Sequence, residues 1–365
     1  MKTGAAMLNV VLLSALLMCA CGGGSGGSSG SGPTPAATPT IIATAAQNGA
    51  QIVSISDATP GATIYYTLDN TTPTTASQIY HAPFLVASSI TVSAIANASG
   101  FTASGTASKA FTLNIASGTQ VWSDEFDSQG QPNPQTWTYD TGNSGFGNHE
   151  QETYCAWGSD ASPCSSASPN AFAGPEKLLH IVAQKPAPGV YTSARLKSQG
   201  LFSFMYGRIE ARIKIPESQG MWPAFWLLGN NIETVEWPAC GELDIMEHID
   251  GGNPENKGYD WVQSSVHGTG LNGGTPWHPA RFSAADWHVY GMIWTKGQVQ
   301  FYIDDPAHPY ETFTPANVGG TWPFDQGPQF ILLNLAVGGD WPGNVDTTTV
   351  FPSEMLVDYV RIYTN

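Results

Sequence analysis

Short runs in which apolar and polar residues alternate recur along the chain from about Thr38. Between Thr38 and Asn114 they read Ile52-Val53-Ser54-Ile55, Thr63-Ile64-Tyr65-Tyr66-Thr67, Ile90-Thr91-Val92-Ser93-Ala94-Ile95-Ala96 and Ala110-Phe111-Thr112-Leu113. Thr59-Pro60-Gly61, Asp69-Asn70 and Ser99-Gly100 punctuate them as turns. A period of two sends successive side chains to opposite faces, so 38–115 is expected to form a small β-sandwich. Farther on, Glu242-Leu243-Asp244-Ile245-Met246-Glu247 reads as a strand with Leu243 and Ile245 opposite Glu242 and Asp244. Glu247 is five positions from Glu242 and falls on the wrong face in strict alternation. One extra residue around Ile245–Met246, a β-bulge, returns it to the carboxylate face. In Trp222-Pro223-Ala224-Phe225-Trp226, alternation groups Trp222, Ala224 and Trp226.

Composition agrees with an all-β chain. Gly (40) and Pro (26) supply many turns, aromatic residues reach 11%, and 365 residues suit two domains. The two halves differ. All 12 Trp lie at or after Trp122, while 22–115 carries three charges, Asp57, Asp69 and Lys109. The net charge of −16 disfavours nucleic acid, anionic membranes and sulfated polymers as partners, since each selects a basic surface.

The first residues form an address. Lys2 precedes an apolar run, Val10 to Leu17, that is too short to span a bilayer. It ends Leu16-Leu17-Met18-Cys19-Ala20-Cys21-Gly22, which resembles a bacterial lipoprotein signal over 1–21 with Cys21 as the acylated residue. An ordinary cleaved secretory signal is the other reading. Gly/Ser/Pro-rich 22–37 cannot bury a core and reads as a tether. The expected location is outside the cytoplasm, lipid-anchored to the cell envelope, and the anchor is the only expected membrane contact. Cys155 and Cys164 lie close together in a polar, loop-like stretch and are expected to pair as a disulfide in an oxidising compartment. Cys240 reads as a small buried filler, because no base has a claim on it.

Glu242, Asp244 and Glu247 on one face would be costly as mere structure, because like charges must be desolvated together. Two carboxylates in different environments are the equipment for glycoside hydrolysis. A retaining mechanism sets them about 5–5.5 Å apart, one as nucleophile and one as acid/base. Glu side chains can lean that far inward over Asp244, whose charge raises the pKa of whichever Glu stays protonated. A metal site built from these residues and His248 is the competing reading, but strand spacing spreads them too widely for one ion.

Several blocks of 118–365 resemble glycoside hydrolase family 16 in its bulged, laminarinase-like form. They are Trp122-Ser123-Asp124-Glu125-Phe126, the 206–216 segment, Met221 to Leu227, Glu242 to Glu247, Asn334 to Gly343 and Val357 to Tyr363, in the family's order. The resemblance implies a β-jelly roll (concanavalin A-like lectin/glucanase) over 116–365 with a glucan cleft on its concave sheet. It implies Glu242 as nucleophile, Asp244 as its assisting carboxylate and Glu247 as acid/base. Trp222, Trp226, Trp237 and Trp341 would face the sugar, with Asn148 and Arg195 as hydroxyl binders and His267 near the acid/base. Glu125 and Asp358 match positions that hold structural calcium in many members, although the third ligand region reads Glu176-Lys177 instead of Asp-Gly. Catalysis would require no cofactor, and the chain is expected to be a monomer. The 62–74 stretch, with Ala94-Ile95-Ala96 and Gly100-Phe101, resembles the immunoglobulin-like C-terminal module of chitobiases, which carries no catalytic groups. The implied activity is endo-hydrolysis of β-1,3 or mixed β-1,3/1,4 glucan. The alternatives are an agarase-like galactan hydrolase and a non-catalytic glucan-binding surface protein. Relatives of the last kind lose one or both glutamates, whereas this chain keeps them. Only 11 Lys and Arg lie in 116–365, which favours a neutral substrate over a sulfated one.

Overall fold

The computed structural model describes residues 32–250, Gly258, 260–279 and 282–365. The export signal, Cys21 and most of the tether lie outside the described residues. Strands dominate; the helical segments are Gln47–Gly49, Ile232–Val235 and Pro315–Val318, each one turn or less. The small N-terminal sandwich stacks a three-stranded sheet (Thr40–Ala45, Gln51–Ser56, Phe84–Val86) on a four-stranded one. The latter runs Gln78–Ile79, Thr63–Thr67, Ile90–Asn97, Ala107–Phe111. Val53, Ile55, Tyr66, Phe84, Val92 and Phe111 fill the space between them.

The rest is a β-jelly roll made of a ten-stranded and a seven-stranded sheet. The seven-stranded sheet runs, edge to edge, Leu271–Trp277, Val262–Gly268, Glu242–Glu247, Met221–Gly229, Gln329–Val337, Arg195–Lys197, Thr138–Asp140. Its inner face contributes Phe225, Leu227, Leu243, Leu333 and Leu335 to a core completed from the other sheet by Ile209, Ala211, Met292, Trp294 and Val360. The outer face is therefore free to carry chemistry. Antiparallel register aligns one row across it: Gln263, Glu247, Ala224, Asn334, Arg195, Asp140.

The expected bulge is at Ile245. Phe225 pairs with Met246 and Trp226 with Asp244, so Ile245 has no partner of its own. Leu243, Ile245 and Met246 all enter the core, and Glu247 rejoins Glu242 and Asp244 on the outer face. Cys155 and Cys164 are bonded, with Cα atoms 5.7 Å apart, and Cys240 is a buried free thiol.

The small sandwich does not hang free. Ala50 and Leu85 are buried in the jelly roll's own core cluster. The Leu85 N–H donates to the Ser203 carbonyl at 2.9 Å, and the Ser203 hydroxyl donates to the Pro83 carbonyl at 3.0 Å. Gln47 Nε2 donates to Ser123 Oγ, Gln120 Nε2 donates back to Gln47 Oε1, and Asn48 Nδ2 donates to the Gln120 carbonyl. An apolar side chain shared between cores couples their unfolding. Leu85→Ala leaves a cavity at this seam and is expected to cost about 2–4 kcal/mol. Urea unfolding followed by Trp fluorescence checks it, because every Trp lies beyond the small sandwich. An unchanged midpoint would mean that the two sandwiches unfold independently.

Candidate active site

Glu242, Asp244 and Glu247 stand side by side, and each carboxyl has its own donor. The Trp237 indole N–H donates to Glu242 Oε2 at 3.1 Å. His267 Nε2 lies 3.0 Å from Asp244 Oδ2 and 3.8 Å from Glu242 Oε1. The Trp222 N–H donates to Glu247 Oε1 at 3.0 Å, and the Ser265 hydroxyl reaches Glu247 Oε2 at 3.5 Å. Asp244 is buried, while the two glutamates are partly open. Burial pushes all three carboxyls above their ordinary range. The Asp244 charge pushes Glu242 further up, and His267 and Arg195 oppose that rise. At Glu247, the Trp222 N–H, His267 and the Ser265 hydroxyl act against burial. The three acids titrate as a coupled group, in which ionisation of one favours the proton on its neighbour. That is the state that acid–base chemistry at a glycosidic bond requires.

Cross-strand register sets Glu247 against Gln263, Asp244 against Ser265 and Glu242 against His267. The imidazole sits against Asp244 and Glu242, and its charge also acts on Glu247.

The remaining sequence-predicted residues are spread along this face. Trp222 packs edge-on against Trp341, ring centres 5.3 Å apart. Trp237 is 57% exposed at the Glu242 end. Trp226 offers little free surface: it is 9% exposed, the Arg195 guanidinium lies 4.7 Å from its ring centre, and its N–H donates to Asn334 Oδ1 at 2.7 Å. Arg195 is itself paired with Asp140 at 3.0 Å. Asn148 is half-buried in a loop tied to the Trp341 loop, its carbonyl accepting the Asp340 N–H at 2.8 Å. Asp140, Tyr154 and Asn334 belong to this network and were missed. Only Asn334 left a signal, as one amide in the apolar run Ile331 to Val337.

Among the described residues, Glu242, Asp244 and His267 form the one group whose ligand atoms come within 4.8 Å of one another. His248 does not join them; it is buried, its Nδ1 meets the Trp261 carbonyl at 3.1 Å, and burial pushes its pKa down to about 4. The expected calcium ligands do not fit an ion. Arg361 grips Glu125 with two hydrogen bonds, at 2.9 and 2.8 Å, and Arg212 holds Asp358 at 2.7 Å. In the third region Lys177 pairs with Asp127 at 2.8 Å and Glu176 bonds His180. Each of the two matched carboxylates thus already has an arginine as its counter-charge. Burial pushes the Cys240 thiol up to about 11, which suits a filler and not a nucleophile.

The sequence matches the family described as "Glycosyl hydrolases family 16" over residues 149–361, and "Chitobiase/beta-hexosaminidase C-terminal domain" over residues 43–109. It is 39% identical over 259 residues to a beta-glucanase of Rhodothermus marinus, covering 67% of this chain and 84% of that protein. It is 33% identical over 247 residues to a keratan-sulfate endo-1,4-beta-galactosidase of Sphingobacterium multivorum, covering 67% of this chain but only 54% of that protein. The catalytic domain of an endo-1,3-beta-glucanase (laminarinase) from Thermotoga petrophila RKU-1 superimposes with a TM-score of 0.59 at 35% identity. That likeness covers 69% of this chain and 99% of the other.

The Trp222 N–H favours the ionised form of Glu247, so its removal favours the protonated form. In Trp222→Phe the Glu247 midpoint should rise by about one pH unit, the worth of one hydrogen bond to a charged group. The limb of the kcat/KM–pH profile that Glu247 sets should move upward by the same amount. A limb that stays in place, or moves down, contradicts the assignment.

Proposed function

The chain belongs to glycosyl hydrolase family 16, and from that premise we propose that it cuts internal β-1,3 or mixed β-1,3/1,4 bonds of a neutral glucan with retention at the anomeric carbon. The observation that carries this is the row Glu242, Asp244, Glu247 on the outer face of one bulged strand, with an indole N–H donating to each glutamate and His267 against Asp244. In this reading ionised Glu242 attacks the anomeric carbon, the bond to the leaving oxygen breaks, and Glu247 gives that oxygen its proton. Glu247 then takes a proton from water, whose oxygen displaces Glu242 and restores the original anomer. His267 and the Trp237 N–H favour the charge on Glu242 before attack. Asp244, 3.0 Å from His267 Nε2, lies between the two glutamates: the Glu247 charge favours its proton, and its own charge favours a proton on Glu242. Burial alone does not rank the two glutamates, so their roles rest on the match of the motif to the family.

A neutral substrate is supported by the charge of the face. The one arginine lying over Trp226 already has Asp140 as its partner, and carboxylates line the centre. Sulfate groups would meet uncompensated negative charge there. The Trp222–Trp341 pair supplies apolar surface of the kind that packs on pyranose rings.

Substrate and roles are tested together. Laminarin and lichenan should be cut with retention, and agarose and keratan sulfate left intact; cleavage of only the last two would replace glucan by galactan. Glu242→Ala should lose hydrolysis of every substrate, and with azide should give an α-glycosyl azide by direct attack. Glu247→Ala should keep turnover of an activated aryl glycoside, rescued by azide as the β-glycosyl azide. Exchanged stereochemistry would exchange the roles, and an inverted product from the parent would remove the retaining cycle.

We further propose that the protein is exported and held to the cell envelope through acylated Cys21, on the strength of Ala20-Cys21-Gly22 followed by a Gly/Ser-rich stretch. Cys21→Ser should move the protein from the membrane fraction to the soluble one. An unchanged distribution would rule out the anchor.

A further inference from the structure

Beyond Asn334, two more acids lie beneath the sugar-facing side chains and have no part in bond cleavage. Glu152 is fully buried and Glu150 is 8% exposed. Among the described residues neither has an ion-pair partner; Arg195, the cation nearby on the adjoining strand, is bound to Asp140. The hydrogen bonds around them have one direction. Trp226 donates to Asn334 Oδ1 at 2.7 Å, Asn334 Nδ2 to Tyr154 Oη at 3.4 Å, and the Tyr154 hydroxyl to Glu150 Oε2 at 2.7 Å. Asn148 Nδ2 adds a bond to Glu150 Oε1 at 3.3 Å. Glu150 receives every donor, so it is the carboxylate. Glu152 Oε2 accepts the Val337 N–H at 2.7 Å, whereas its Oε1 is buried and meets no N–H or O–H, and the neighbouring Glu150 side chain favours the protonated form of Glu152. Two acceptors in contact repel, and a proton on Glu152 Oε1 turns that contact into a hydrogen bond.

We propose that Glu152 carries a proton donated to the Glu150 carboxylate, and that this pair is a positioning device for the glucan-binding residues Asn148 and Trp341. The inference rests on the reading that these two residues meet the glucan. The coupling is short. Gln151, between the two acids, donates its N–H to the Val337 carbonyl at 2.8 Å, and the Asp340 N–H beside Trp341 donates to the Asn148 carbonyl at 2.8 Å. The charged and titratable groups around the pair are Tyr154 on its own strand, Arg195 and Asp140 on the seven-stranded sheet, and the exposed His149–Asp340 pair on the loops. Burial and the Glu150 charge hold the Glu152 proton to well above the ordinary carboxyl range. When it is finally lost, two buried anions face each other and the 145–152 and 338–341 loops are pushed apart.

The test uses the full chain with laminarin, comparing parent, Glu152→Gln and Asn148→Ala from mildly acidic to alkaline pH. In the parent, KM should rise roughly tenfold towards alkaline pH while kcat changes less, the equivalent of one lost hydrogen bond to a charge. Glu152→Gln keeps a donor towards Glu150 and an acceptor for the Val337 N–H without a titrating proton. Its KM should match the parent at acidic pH and stay flat. The infrared difference between parent and Glu152→Gln near neutrality should contain the carbonyl stretch of a protonated carboxyl. Absence of that band, or the same alkaline rise in Glu152→Gln, overturns the proton-carrying pair. The band present with Asn148→Ala unchanged in KM at every pH sinks the sugar-contact reading, and with it the positioning role. Should Glu152→Gln not fold, a parent KM that is flat with pH overturns the proposal by itself.

Discussion

One unpaired residue organises this enzyme. Ile245 has no partner of its own on the neighbouring Met221–Gly229 strand, so three apolar side chains pass to the core and three carboxyls to the open face within six residues. Without the bulge, strict alternation would send Glu247 into the interior, where an unpaired carboxylate is prohibitively placed. The core side is equally demanding. Leu243, Ile245 and Met246 fit between the sheets only if the strand keeps this register, so packing energy defends the positions of the acids.

Close placement makes the carboxyls chemically useful and electrostatically difficult, and the surrounding strands resolve the difficulty with donors in place of cations. Trp237, His267 and Trp222 each serve one acid, from a loop, from the cross-strand neighbour at one side and from the neighbour at the other. In a chain with 13 basic residues against 29 acidic ones, indoles, amides and a shared proton take work that arginines do elsewhere. The convex side shows the opposite economy. There Arg361 and Arg212 grip Glu125 and Asp358, and the calcium site suggested by the family pattern is closed by side chains.

The small sandwich adds a mechanical element. Leu85 and Ala50 sit in the core of the jelly roll, and a run of side-chain amides stitches the two bodies at Gln47, Asn48 and Gln120. A spacer on a flexible joint would share no core residues.

Much of this was legible in the residues themselves. Period-two alternation gave strands of the small sandwich and the runs at Trp222 and Glu242, and the spacing of Glu242, Asp244 and Glu247 called for the bulge, because side-chain direction along one strand is a local property. The jelly roll itself followed from the resemblance to the family. What lay beyond reach depends on which strands become neighbours. That His267 stands opposite Glu242 and against Asp244 was not legible, because antiparallel register between strands decides its partners. Trp226 shares a face with Trp222 by alternation, yet Arg195 covers it from a strand two places away in the sheet. Tyr154, Asp140 and the Glu150–Glu152 contact carry no local pattern at all. Local periodicity sets which way a side chain points, and the tertiary fold alone decides what it meets, because hydrogen-bond partners and desolvation come from segments far apart in the chain.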